Sequence, residues 1–197
     1  MARANANRPP SCPLAAASRQ DGELRAFLAE NDLVTIPDGE QPRVVESPPY
    51  MRRSAAQIDV PGPFEPGSAA TYYIAPPDPA WSEADQLAFL RSEALLLMIS
   101  AHEIWPGHIL QFLHLRRAAD PLAQLFPSYA FVEGWGTYAE EMMWEAGLRE
   151  GDPEVHIAYL IGALVRNVRL LCAIGLHTGT IPLVRGRMMG TAPEAAF

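Results

Sequence analysis

The order of apolar and polar positions divides the chain in two. In the first eighty residues no long periodic stretch survives, because prolines interrupt it in IPDGEQP, ESPPY, PGPFEPG and APPDPAW. Between them, Leu33–Ile36, Arg43–Glu46 and Thr71–Ala75 carry the apolar, β-branched character of short extended segments. Proline confines such segments to sheet edges or irregular structure. One short helix is expected from about Gly22 to Glu30. From Ser82 the periodicity becomes helical. Ser82 with Asp85 three residues on is a capping-box-like start, and Glu83 to Arg117 reads as helix interrupted at Trp105-Pro106-Gly107. A second helix reads from about Tyr129 to Ala146 and ends at Gly147. A third opens at Asp152-Pro153, an N-cap followed by proline at the first helical position, and runs to about His177. The tail TGTIPLVRGRMMGTAPEAAF has no periodicity. The pattern predicts a mainly α fold with a short extended segment before the central helix.

Composition narrows the function classes. A chain of 197 residues suits one domain with a real core. Its net charge of −8 argues against a nucleic-acid or anionic-membrane surface, which both want basic patches. Cys12 lies in a Pro/Ala-rich leader and Cys172 in an apolar helical pattern, which is no disulfide framework. The longest strongly apolar run, Ala94 to Ala101, falls well short of the roughly 20 residues of a membrane span, so no transmembrane segment is expected. The N-terminus lacks the long apolar stretch of a signal peptide, which leaves localisation unassigned.

Chemistry concentrates in the helical half, which holds all five histidines. The stretch SAHEIWPGHILQF begins like the HExxH signature of zinc peptidases, in which residues i and i+4 share a helix face with a glutamate beside them. Here Pro106 stands four residues after His102, and the next histidine is His108. On an unbroken helix His108 would lie about 240° around from His102. Pro106 forbids an unbroken helix: it lacks the N–H that would bond the His102 carbonyl, its ring clashes with that carbonyl, and Trp105 is driven from the helical region. Gly107 admits whatever angles follow. A kink or wide turn is thus expected here, which leaves open a geometry in which His108 returns to His102. A third zinc ligand should come from a separate element, and FVEGWGTYAEEMMWEAG offers Glu133 on the next helix. Glu140, two turns further along the same face, either supports a ligand from behind or is an exposed helix charge.

These motifs carry a resemblance. HE-x-x-P-G-H, then E-G-W-x-x-Y-A-E, then an Arg-rich helix ending in GLHTG resemble the bacterial family known as domain of unknown function 885, counted among the zincin-like (gluzincin-type) metallopeptidases. The stretches LVTIPDGE, ESPPYMRR and PGPFEPGSAATYYIAPPD extend the likeness over roughly Leu24 to Gly179. It implies that His102, His108 and Glu133 hold Zn2+, that Glu103 is the general base, and that the substrate is a peptide or other amide. It also implies that Tyr138 and His177 line the site, where either would steady the oxyanion. Arg166, Arg169 and His177 fall within about 80° of one helix face and would bind a substrate carboxylate or that oxyanion. Two positions depart from the family pattern, Ile109 and Ala173. Members are longer, so the resemblance describes a fragment: a poorly ordered leader over 1–21, a partial zincin-like helical domain over 22–179, and a divergent tail over 180–197.

Plainer readings stand beside these. His177 also suits a helix C-terminus, where a cation is favoured, and Arg166 and Arg169 can pair with surplus acidic residues. His114 and His156 read as structural. Tyr72-Tyr73-Ile74 is either an edge strand able to align a peptide or a half-buried strand. The rival to an enzyme is a non-catalytic, degenerate fragment acting as a metal-binding helical module, and a weaker alternative is a zinc amidase or esterase of small molecules.

Overall fold

The computed structural model describes residues 12–37, 41–65 and 67–181. Seven helices carry most of it: α1 (Pro13–Glu30), α2 (Glu83–Phe89), α3 (Glu93–Glu103), α4 (His108–Leu115), α5 (Pro121–Leu125), α6 (Tyr129–Glu145) and α7 (Pro153–His177). Three short strands, β1 (Arg43–Glu46), β2 (Ala56–Asp59) and β3 (Thr71–Ile74), form one sheet in the order β1-β3-β2. The fold is mainly α.

β3 is the central strand. It pairs parallel with β1, Val44 opposite Tyr72, and antiparallel with β2, Ile58 opposite Tyr72. Of the two readings of Tyr72-Tyr73-Ile74, the edge strand does not hold: an edge belongs to β2, a strand not anticipated because Ala56, Gln57 and Asp59 are poor strand formers. Tyr72 is fully buried, and its hydroxyl shares a hydrogen bond of 3.1 Å with Ser100 Oγ. Ser100 donates to Gln20 Oε1, and Gln20 Nε2 donates to the Glu93 carbonyl. This buried polar chain ties the sheet, α1 and α3 together, with each member satisfied.

α3 forms the middle of the core, packing against α1, α6 and α7, with Ala94, Leu96, Leu97, Met98 and Ala101 buried. Two N-caps set its approach: Ser82 accepts from the Asp85 amide at α2, and Ser92 from the Leu95 amide at α3. The second cap breaks the expected continuous helix at Leu90, whose ψ of 128° is extended.

Two more sequence expectations need correction. Residues 13–21, read as part of a poorly ordered leader, are the first half of α1, with Ala16 and Ala17 fully buried. Gly22 reads as a boundary in sequence, yet burial of the alanine face carries the helix through it. Leu33–Ile36 forms no strand; Leu33, Val34 and Ile36 instead lean on the core from irregular backbone. All but the first two residues of the tail expected over 180–197 lie outside the described residues.

α7 is unusual. Leu160, Ile161, Leu164, Val165, Val168 and Leu171 are each 47–67 % exposed, and they fall within about 140° of one helix face. An 18-residue window of α7 has a mean hydropathy of 1.7 and is 6 % buried. By length and composition alone this helix is able to cross a bilayer, although Arg166, Asn167 and Arg169 interrupt its apolar run. The opposite side of α7 packs on α3 and α6.

Candidate metal centre

The centre is built where α3 stops. The Ile104 amide still bonds the Ser100 carbonyl at 2.9 Å, but Trp105-Pro106, joined by a cis peptide bond, turns the chain before α4 starts at His108. Gly107 is required here for space: a Cβ would lie 1.7 Å from the carbonyl oxygen of His102 and 2.2 Å from its carbon. No side chain fits.

Both sides of this turn are fastened. The Trp105 ring is fully buried, with its indole N–H donating to Asp21 Oδ1 at 2.7 Å and the Arg25 guanidinium 5.4 Å above the ring. From α6, Trp135 Nε1 donates to the Pro106 carbonyl at 2.9 Å. The turn brings the imidazoles of His102 and His108 together, with ring centroids 4.6 Å apart and planes at 85°.

Glu133 arrives from the second turn of α6. Its Oε2 lies 3.7 Å from His102 Nε2 and its Oε1 3.9 Å from His108 Nε2. One ligand atom from each of the three residues lies within 4.8 Å of the others. Donors on a tetrahedral zinc about 2.0–2.2 Å away stand about 3.3–3.6 Å apart, so only small side-chain shifts separate this set from a zinc shell. Two imidazoles and a carboxylate are also the donor chemistry that zinc takes.

A glycine creates the room. A Cβ at Gly136 would lie 2.7 Å from His102 Cε1 and Nε2 and 2.9 Å from His108 Cε1. The second glycine of EGWG thus lets α6 approach both rings, a role the sequence reading did not assign. The signal was available: a glycine inside a helix costs about 1 kcal/mol relative to alanine, and this one stands one turn after the candidate ligand.

Glu140 lies behind His102. It is 3 % exposed, and its Oε1 is 2.8 Å from His102 Nδ1. Arg166 from α7 donates to the same oxygen. Burial alone would lower the His102 pKa, but the hydrogen bond to Glu140 and its charge, with that of Glu103, raise it overall. His108 moves the other way, lowered by burial and by His102. The Glu103 carboxyl is pushed up to about 7 by burial, reinforced by Glu133 and Glu140 and opposed by His102. A cation held between these groups would draw it back down.

His102, Glu103, His108 and Glu133 open into one cleft of about 440 Å³, which Ile58 of β2 and Tyr129 of α6 also line. The charge of Glu133 beside Tyr129 raises its phenol pKa.

The sequence matches the bacterial family described as protein of unknown function (DUF885) over residues 7–195. The chain belongs to that family. Among solved structures, a candidate lipoprotein of unknown function from Shewanella oneidensis is similar at 27 % identity and a TM-score of 0.66. The likeness covers 79 % of this chain and 28 % of that one, so the chain spans under a third of that relative's length. A comparison with curated proteins found no match.

In this DUF885 chain the other expected site residues stand apart from the cleft. Tyr138 is half exposed beside Trp135, with ring centroids 6.0 Å apart, and does not line it. Five residues on from Glu133, it points about 140° away around the helix. His177 is exposed at the end of α7, with Nδ1 2.7 Å from the Ala173 carbonyl; it serves the helix terminus. Arg166 is engaged by Glu140 rather than turned to substrate. Arg169 is exposed, and its charge acts on Tyr129. His114 contacts the Thr35 carbonyl at 2.8 Å, and His156 stacks on Trp144 at 4.1 Å.

Proposed function

We propose that this chain is the metal-site core of a zinc-dependent hydrolase of peptide or other amide bonds, with His102, His108 and Glu133 holding the ion. The observation that carries the reading is the convergence of three donor atoms within 4.8 Å of one another, in the cleft that Glu103 also lines. When bound, zinc would supply Lewis-acid activation of water at neutral pH. Glu103 then takes a proton at its carboxylate and delivers it to the leaving amine. Its position directly after a ligand, lining the same cleft as the three donors, suits a group that must both accept and release a proton.

The β2 edge supports an extended substrate. Ala75 N–H donates to the Ala55 carbonyl at 2.9 Å. The alternation of antiparallel pairs then turns the backbone of Gln57 and Asp59 towards β3 and that of Ile58 outwards. Ile58 lines the cleft, so an amide chain laid along this edge would pass the histidines. Tyr129 takes the place beside the reacting carbonyl that sequence reasoning gave to Tyr138 or His177.

The rival is a metal-binding helical module without turnover. Two observations favour it: Tyr138 and His177 lie away from the cleft, and the outer face of α7 is uncovered. Turnover of a quenched-peptide library by the zinc-loaded chain separates the two. The enzyme reading expects Glu103→Gln to lower it by about 10²–10⁴-fold with zinc content unchanged. Equal turnover by both proteins removes Glu103 from the chemistry. A preparation without stoichiometric zinc sinks the metal reading itself.

A further inference from the structure

Arg166 was expected to face substrate. Its actual partner is the oxygen that also receives His102. Nη2 of Arg166 and Nδ1 of His102 converge on Oε1 of Glu140, a carboxylate whose side chain is 4 % exposed. A guanidinium only donates hydrogen bonds, so the oxygen it meets must accept. An accepting oxygen requires the other partner, His102 Nδ1, to carry its proton. The lone pair is then left on Nε2, the atom that faces Glu133 at 3.7 Å.

α7 is shaped for this contact. A Cβ at Gly162, one turn before Arg166, would lie 3.1 Å from Arg166 Nη1 and 3.3 Å from Glu140 Oε2. The glycine lets the guanidinium lie back along its own helix and lets Glu140 approach from α6. Arg166 Nη1 is itself buried with no hydrogen-bond partner, so Nη2 carries the contact of the guanidinium with Glu140. The helix is otherwise apolar on its outer side, so this polar contact is a specific feature of its inner face.

We infer that Arg166 is a positioning residue: from α7, through Glu140, it holds His102 in the Nδ1–H form and keeps Nε2 available as a metal ligand. The inference deepens the zinc reading and rests on it for its functional meaning, but the tautomer itself is a property of the protein alone. Groups standing behind a histidine ligand typically change metal affinity 10–100-fold when removed.

The test uses the full chain. Nitrogen-15 NMR of the histidine side chains in the metal-free protein, at a pH high enough for the His102 ring to be neutral, should find its proton on Nδ1 in the wild type and a tautomer mixture in Arg166→Met. Zinc titration should give affinity about 10–100-fold weaker for Arg166→Met, unchanged for Leu164→Gln on the outer face of the same helix, and partly restored in Arg166→Lys. Should Arg166→Met fail to fold, Arg166→Lys is read alone, with a smaller loss expected because an ammonium does not reproduce the planar donor fork. An unchanged His102 tautomer with wild-type zinc affinity in the Arg166 variants overturns the inference. A wild type that binds no zinc overturns the zinc reading, while the NMR comparison still decides whether Arg166 sets the tautomer.

Discussion

The turn between His102 and His108 and the outer face of α7 are opposites in packing. At the turn a single methyl group has nowhere to go: a Cβ at Gly107 would overlap the His102 carbonyl, and one at Gly136 would overlap both imidazoles. On α7, large side chains such as Leu164 and Leu171 are 64 % and 67 % exposed. Both regions are rich in apolar residues, so hydropathy does not tell them apart. What separates them is whether neighbours fill the surrounding space. At the turn, Trp105, Trp135, Asp21 and Arg25 fasten the backbone from two sides. The outer face of α7 has the composition of a core surface, in a chain that spans under a third of its structural relative.

The contrast yields graded expectations. Gly107→Ala should be the most damaging change, destabilising by about 3 kcal/mol or more as an overpacked site that cannot relax, read from urea unfolding midpoints. A midpoint near the wild type would mean that the turn is looser than its contacts imply. Gly136→Ala sharpens the point, because alanine is the better helix former by about 1 kcal/mol. Helix content by circular dichroism should hold while zinc affinity falls at least about 10-fold, the rings having been pushed apart. Trp135→Phe removes the hydrogen bond to the Pro106 carbonyl together with part of the ring, and should cost about 1 kcal/mol or more in the same unfolding assay. Leu164→Gln, on the uncovered face, should change stability by less than about 0.5 kcal/mol; a larger loss would show that this leucine is packed in solution.

Legibility in the sequence followed the same division. α6 and α7 were readable almost to the residue, since an N-cap Asp152 before Pro153 and a terminal Gly147 are local signals. α1 was read nine residues short because Gly22 resembles a helix boundary, whereas the burial that overrides it is tertiary. β2 was invisible because its residues have little strand preference, and β3 recruits it. At the site, Pro106-Gly107 announced that the helix must break and reset between the histidines. What the sequence did not show at Gly107 is the space it leaves: a Cβ there would overlap the His102 carbonyl. Gly136 was missed because a glycine in sequence carries no mark of what crowds it. Tyr138 and His177 were placed by motif, but helix rotation and the end of α7 hold them elsewhere. Arg166 was assigned to the correct face and the wrong partner, since Glu140 reaches it only once α6 and α7 pack together.

The central claim is that His102, His108 and Glu133 form one zinc site. X-ray absorption at the zinc edge on the full chain tests it most directly. The account expects one zinc per chain, two imidazole nitrogens at about 2.0–2.1 Å with oxygen completing the shell, and loss of that signature in His108→Ala. Zinc absent, or bound with the same surroundings in His108→Ala as in the wild type, would contradict it.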